Sequence, residues 1–199
     1  MPTINPIVDG HVGAATTLWS TLLLASGGKS FDSTTAIASG TASGASLVAA
    51  DLSGAFRKRE TFLGFDISGI SGTVSSAVLK IRVEDTAGSQ NIVPVKGTFS
   101  GTPSVAYFND FEPTTAYSGP QAAAVGWMEF ELNSTALSDM NDGSSTLKVS
   151  LIDSDHMGGS SPSTPTGLTK ITNFRFSEDS SYPPELEYTL ISQGVGKLT

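Results

Sequence analysis

The chain has 199 residues, which is long enough for one domain with a substantial hydrophobic core. Its 21 glycines and 10 prolines, with only 15% charged residues, are typical of a turn-rich β protein rather than a helical one. Nineteen acidic against eleven basic residues leave a net charge of −8, and no basic run exceeds the three residues at 57–59, which argues against a nucleic-acid partner. Because cysteine is absent, disulfides, thiolate metal sites and cysteine nucleophiles are excluded.

The start of the sequence has neither the basic region nor the apolar region of a signal peptide. The apolar stretch at 17–25 is too short to cross a bilayer. We therefore expect synthesis in a cytosol without a visible export signal, and no membrane partner. The composition nonetheless resembles that of extracellular adhesive or virion proteins.

Alternation of apolar and polar residues predicts the strands in chain order. An apolar strand at 61–67 is followed by Gly69 and Gly72, which suit a turn, and then by the clearest alternation, at 77–84. Pro94, in the next strand, predicts an edge position or a bulge because it cannot donate a ladder hydrogen bond. Stretches with the same period of two lie at 92–99, 127–133, 146–151, 172–177 and 185–190.

Helical signal is confined to residues 133–143, where Ser134 is predicted to be the N-cap and Gly143 to end a short helix. The segments at 39–46 and 156–167 are predicted loops. Seven or eight strands with long glycine- and serine-rich connections indicate an all-β fold, an antiparallel two-sheet sandwich of the jelly-roll class with one short helix.

The strand pattern predicts a domain division with tails at both ends. Residues 8–191 form the sandwich, preceded by an N-terminal docking tail at 1–7 and followed by a C-terminal tail at 192–199. We expect these tails to bind a partner through apolar residues, namely Ile4, Pro6, Val195 and Leu198.

Candidate metal ligands are few. The two histidines, His11 and His156, lie far apart and in no metal-binding spacing. Asp153 and Asp155 have a spacing that can hold calcium, but the full calcium-loop pattern is missing and a solvated turn is favoured. We therefore expect no metal and no other cofactor.

Catalytic patterns are equally sparse. Glu129 and Glu131 share one face of a strand at a separation that a two-carboxylate hydrolase could use. Alternating acids on the outer face of an amphipathic strand are ordinary, however, and no serine elbow or phosphate-binding loop is present. The sequence does not predict an enzyme.

Aromatic residues are the remaining candidates for binding. Trp127 falls on the polar side of its strand, and Tyr107 and Tyr117 belong to an aromatic-rich segment at 107–117. Exposed rings can stack on sugars or on a partner's apolar residues. The alternative is that Trp127 caps the edge of the core and that the aromatics of 107–117 hold down a long loop.

The strand–turn–strand block at 61–83 and the ending, in which Ser177 and Glu178 precede Pro184 and Leu186, resemble the disaggregatase-related repeat family, often labelled DNRLRE. That family has a jelly-roll fold and is counted among carbohydrate-binding modules, so the resemblance implies this fold and surface glycans as a possible ligand. The correspondence covers nearly the whole chain, through 8–12, 61–83, 126–137, 145–153 and 174–190.

Compact jelly rolls without a signal peptide are also similar to structural proteins of tailed bacteriophages. The resemblance implies a non-enzymatic virion protein, a capsid decoration or head-fibre subunit with a tail or fibre component as a variant. We expect it on the virion surface as a small homo-oligomer, bound to the major capsid protein or to another virion protein. The alternative is a stand-alone carbohydrate-binding module that attaches to polysaccharide.

Overall fold

The computed structural model describes most of the chain between Met1 and Ile191. The described residues are 1–16, 30–33, 45–50, 56–88, 90–101, 104–107, 109–154, 170–177 and 179–191. They form thirteen strands, one short 3₁₀-helix and one α-helix. The strands are β1 (Thr3–Ile4), β2 (Pro6–Thr16), β3 (Ser30–Ser33), β4 (Ala45–Ala50), β5 (Phe56–Asp66), β6 (Val74–Ala87), β7 (Asn91–Gly97), β8 (Phe111–Ala116), β9 (Gln121–Ala122), β10 (Gly126–Glu131), β11 (Thr146–Asp153), β12 (Lys170–Phe174) and β13 (Glu185–Leu190); the helices are a 3₁₀ turn (Val105–Tyr107) and α1 (Ser134–Asn141).

Sheet I is built around the long strand β6. One edge of β6 pairs with β13 and then, further along, with β12, while the other edge pairs with β10. The two-residue strand β1 extends this sheet on the far side of β13. All of these pairings are antiparallel.

Sheet II is built around β5. One edge of β5 pairs with β2 along its length, and the other pairs first with β4 and then with β11. Beyond β11 follow β7 and then β8 and β9, and β3 lies beyond β2. Because β4 also pairs with β12, the two sheets are joined by hydrogen bonds at one end.

The main core lies between the two sheets, as the alternation predicts. The inward residues of β6 are almost completely buried and face apolar residues of β5 and β11. Burial of each such side chain contributes roughly 1.5–3 kcal/mol relative to exposure. The prediction of an antiparallel sandwich is confirmed. The fully buried large side chains of this core are Phe65, Phe130, Phe174, Leu63, Leu79, Ile81, Ile92, Leu147, Leu151 and Tyr117.

Helix α1 closes one side of the core by burying Ala136 and Met140. Its N-cap is Asn133 rather than the predicted Ser134: the Asn133 side chain accepts hydrogen bonds from the backbone N–H groups of Thr135 and Ala136. Asparagine and serine have similar N-cap preferences, so these preferences could not decide which of the adjacent residues Asn133 and Ser134 caps the helix. Gly143, with φ of +88°, follows the helix in the left-handed conformation that favours glycine.

The N-terminal residues are part of the sandwich, so the predicted boundary between a tail at 1–7 and the sandwich is wrong, while docking by these residues stays a prediction. Ile4 in β1 pairs with Leu186 and packs against the core, and Pro6 is buried where β2 begins beside Phe65. A bulge at Ile7 interrupts the alternation of β2, which hides this strand in the sequence. Val195 and Leu198 of the predicted C-terminal tail lie outside the described residues.

Pro94 lies inside sheet II rather than at its edge. Its strand β7 pairs with β11 on one side and with β8 and β9 on the other. Pro94 falls between those two short partners, beside a shift of register at Val95 and Lys96, and its carbonyl accepts a hydrogen bond from the Tyr117 N–H. The predicted bulge is therefore confirmed and the predicted edge position is wrong.

Candidate functional site

The outer face of sheet I carries the most exposed aromatic side chains of the described strands and turns. Trp127 of β10 is 40% exposed, and Tyr182, in the turn before β13, is 43% exposed. Their ring centroids lie 6.3 Å apart at an interplanar angle of 67°, an edge-to-face arrangement. Val125, two residues before Trp127, is also exposed. We call this surface, with Arg82, the Trp127 face.

Arg82 joins the two aromatic residues. It pairs with Trp127 across β6 and β10, and its guanidinium carbon lies 5.0 Å from the centroid of the Tyr182 ring, a cation–π contact. The Arg82 Nε is buried and has no hydrogen-bond partner among the described residues. Because Arg82 is only half-buried as a residue, a bound molecule could approach its terminal Nη groups, which can donate to a hydroxyl or carboxylate oxygen.

The neighbouring cations are already paired with carboxylates. Lys80 Nζ donates a hydrogen bond of 2.8 Å to Glu187 Oε1, and this hydrogen bond raises the Lys80 pKa. Arg175 lies 2.7 Å from Glu84 Oε2 and 3.0 Å from Asp179 Oδ2. Burial opposes the charge of Arg175, but its two carboxylates outweigh burial and raise its pKa. Arg82 is therefore the cation of this face, among the described residues, that a ligand could engage without breaking an ion pair.

Tyr107 and Tyr117 do not join this surface, and their predicted role in sugar binding is corrected by their burial. Tyr107 packs against Phe62 and Phe99 with centroid distances of 4.9 Å to each. Its hydroxyl donates to the Gly101 carbonyl at 2.8 Å. These contacts match the alternative interpretation, in which the aromatics of this segment hold a long loop against the sheet.

Tyr117 belongs to the core and is one of the residues that line a small cavity. Its hydroxyl donates to Asp139 Oδ2 at 2.5 Å, and Lys96 Nζ lies 3.0 Å from the same oxygen. The cavity has a volume of about 220 Å³ and is also lined by Asp142 and Lys148. Burial, followed by the hydrogen bond to Asp139, raises the Tyr117 pKa far above its ordinary value, and Asp139 raises the pKa of Lys96.

Asp153 is buried, so the favoured interpretation as a solvated turn is wrong for this residue. Its Oδ2 accepts a hydrogen bond of 3.0 Å from Gln90 Nε2, and Gln90 Oε1 accepts one of 2.8 Å from the Thr172 hydroxyl. The network ties β11 and β12 to the residue that precedes β7. Asp155 lies outside the described residues, and within the described part no three His, Asp or Glu side chains are grouped as metal ligands.

Glu129 and Glu131 lie on the outer face of β10, as the alternation predicts. Glu129 is 3.7 Å from Lys80, and Glu131 is exposed opposite Val78. Neither carboxylate is enclosed in a cleft that would exclude water from a reacting bond. The structure thus gives these two residues the arrangement of a solvated acidic face.

A scan against protein-family models finds no match to this chain, and a search of curated proteins finds none either. The resemblance to the disaggregatase-related repeat family therefore stays a prediction. Among the described residues, no helix has both the length and the apolarity needed to cross a membrane.

Sequence reasoning found Trp127 but missed Tyr182 and Arg82. The signal for Tyr182 is weak: one aromatic residue in a turn rich in small and polar residues, between the last two strands. Arg82 reads as an ordinary outward residue of an amphipathic strand. Only the register that places Arg82 beside Trp127 makes it part of a site.

We predict that Tyr117→Phe lowers the free energy of unfolding at neutral pH by about 1.5–3 kcal/mol, because a hydrogen bond to a charged group is lost. Because folding raises the pKa of Tyr117, the unfolded chain loses the hydroxyl proton at a lower pH than the folded chain does. The contribution of this hydroxyl to the free energy of unfolding is therefore complete below the ordinary tyrosine pKa of 10.0 and declines above it. The variant should therefore lose less stability than the wild type between about pH 9 and 11. Urea unfolding at several pH values measures both effects, and parallel curves for the two proteins would contradict the assignment.

Proposed function

We propose that the chain is a non-enzymatic binding protein whose Trp127 face holds a saccharide. The observation that carries this proposal is the exposed Trp127–Tyr182 pair with the unpaired Arg82 beside it. Aromatic faces pack against the C–H surfaces of sugar rings, and a guanidinium donates to their oxygens. The carboxylates around the pair add acceptors for sugar hydroxyls.

The shape of the surface favours a polymer over a small enclosed ligand. The face is the outside of a sheet, and the aromatic rings stand on β10 and on the turn before β13 with β6 between them. A sugar chain could lie across these strands and contact both rings. Small-molecule sites, in contrast, bury most of their ligand in a concave pocket.

We further propose the virion setting that the sequence predicts, with this protein as a capsid decoration or head-fibre subunit. Support comes from the resemblance and from a net charge of −8, which favours solubility of a displayed protein. A decoration subunit needs a stable scaffold and a contact surface rather than a catalytic group. Binding to the assembled shell alone would stabilise that shell by mass action.

We predict that Trp127→Ala weakens binding to glycans at least about tenfold, which corresponds to about 1.4 kcal/mol. Tyr182→Ala should have a similar effect, because both rings form the contact. Trp127→Phe should retain part of the affinity because it keeps an aromatic ring. A glycan array identifies the ligand, and calorimetry on the variants measures the Kd.

The matched control for these variants is Ile7→Ala, because Ile7 is an exposed apolar residue of the bulge in β2, on the other sheet. It should leave binding unchanged. Absence of wild-type binding to any glycan would contradict the saccharide proposal and leave the structural role.

The virion proposal predicts that the purified chain co-sediments with intact capsids and is found in purified virions. The expected stoichiometry is a fixed number of copies per capsomer, since decoration follows the symmetry of the shell. A chain that stays in the supernatant and is missing from virions by mass spectrometry would contradict the proposal. Glycan binding would be unaffected by that result, so the two proposals fail separately.

A further inference from the structure

A lysine, a glutamate and an asparagine meet on the outer face of sheet II. Lys58 and Glu60 project from the same side of β5, and Asn109 follows the 3₁₀ turn in the segment that crosses this face. The Lys58 Nζ donates a hydrogen bond of 2.8 Å to the side-chain oxygen Oδ1 of Asn109. Glu60 contacts both: its Oε1 is in ion-pair contact with Lys58 Nζ, and its Oε2 accepts the Asn109 N–H at 2.8 Å.

This triad of Lys58, Glu60 and Asn109 is enclosed. The side chains of Lys58 and Glu60 are 9% and 3% exposed, although both are charged residue types that are normally on the surface. The Phe111 ring centroid lies 5.0 Å from Lys58 Nζ, and the cluster around Phe62 lies next along the same face of β5. The Lys58 ammonium and the Glu60 carboxylate are thus shielded from most solvent water.

The backbone of Asn109 is held in an unusual conformation. Its φ of +63° is in the left-handed region, and it is the only non-glycine residue with positive φ in the described part of the chain. Short polar side chains such as asparagine tolerate this region best. The conformation, fixed by the hydrogen bond to Glu60, presents the Asn109 carboxamide to Lys58.

We propose that Lys58 and Asn109 become joined by an intramolecular amide bond, with Glu60 as the proton-transferring residue. The carbonyl carbon of Asn109 lies at most about 4 Å from Lys58 Nζ, since Oδ1 is 2.8 Å away and a C=O bond adds about 1.2 Å. That is close to the separation of about 3–3.5 Å from which bond formation proceeds. The inference is independent of the saccharide and virion proposals.

The reaction needs no oxidant or added cofactor. Glu60 takes a proton from the Lys58 ammonium, and the neutral amine attacks Cγ of Asn109 to give a tetrahedral intermediate. Glu60 returns the proton to Nδ2, the bond between Cγ and Nδ2 breaks, and ammonia leaves. A new bond between Nζ and Cγ remains, and the attacking nitrogen gives up its second proton, which Glu60 passes to the released ammonia. Lysine ammonium plus carboxamide therefore gives a substituted amide plus ammonium.

Two effects favour the product. Holding amine and carboxamide in contact raises the effective concentration of one at the other to the order of 10⁵–10⁸ M in well-oriented cases. Ammonia then diffuses away, so the reverse reaction has no partner at the site. The cross-link would join residues 51 positions apart, and would tie β5 permanently to the segment that covers it.

Intact-mass spectrometry of the folded full-length protein tests the cross-link. The measured mass of the wild type should be about 17 Da below the mass calculated from its sequence, because the nucleophilic displacement releases one ammonia. The N-terminal residue is determined first, so that the calculated mass refers to the chain that is measured. Peptide mapping should recover residues 58 and 109 in one linked peptide. A protease that does not cut at basic residues is required, because Arg57 and Arg59 flank Lys58.

The intact masses of three variants distinguish a cross-link between Lys58 and Asn109 from other reactions that release ammonia. Lys58→Arg keeps the charge without a reactive amine, and Asn109→Gly keeps the left-handed backbone without a carboxamide; both should have the full mass. Glu60→Gln should also have the full mass while keeping a native circular dichroism spectrum. A wild type of full mass would overturn the proposal, as would a loss that persists in Lys58→Arg, which would indicate ring closure at an asparagine.

Discussion

The structure depends on the burial of one face of β6, the strand that β10, β12 and β13 all share. Its inward side chains are almost completely buried, and its outward residues form the middle row of the Trp127 face. Since the side-chain period of a strand is two, a shift of one residue would place the apolar set in water. The same constraint therefore fixes the core and the position of Arg82 beside Trp127.

The two sheets use their outer faces differently. The part of the outer face of sheet II around β5 is covered by the chain itself, through the aromatic contacts of Tyr107 and the enclosed triad around Lys58. The outer face of sheet I carries exposed rings and solvent-facing ion pairs. The described side chains around β5 are thus enclosed, whereas those of the Trp127 face are exposed to solvent. This asymmetry is the reason why the binding proposal and the cross-link proposal concern opposite sides of the molecule.

Local periodicity accounts for what the sequence could predict. The alternation at 77–84 and 127–133 identifies two strands, and it also predicts that Trp127 faces outward. Both properties are determined within a few residues. The short helix was predictable for the same reason, although not which of two adjacent polar residues caps it.

Features that depend on pairing between distant segments were not predictable. Tyr182 reaches Arg82 because β13 pairs with β6, and the buried Tyr117 hydroxyl finds a partner because helix α1 supplies Asp139. The N-terminal strands were missed because β1 has only two residues and β2 is bulged. Likewise, Lys58 and Asn109 are 51 residues apart, and no spacing in the sequence indicates that they meet.

Native-state hydrogen exchange tests the central claim, that the buried layer of β6 holds the fold together. The account predicts that amide protons of residues 77–83 exchange only through global unfolding, so that their protection equals the free energy of unfolding measured with denaturant. Helix α1, which is short, should open more readily. Amides of 77–83 that exchange faster than those of α1 would contradict the account.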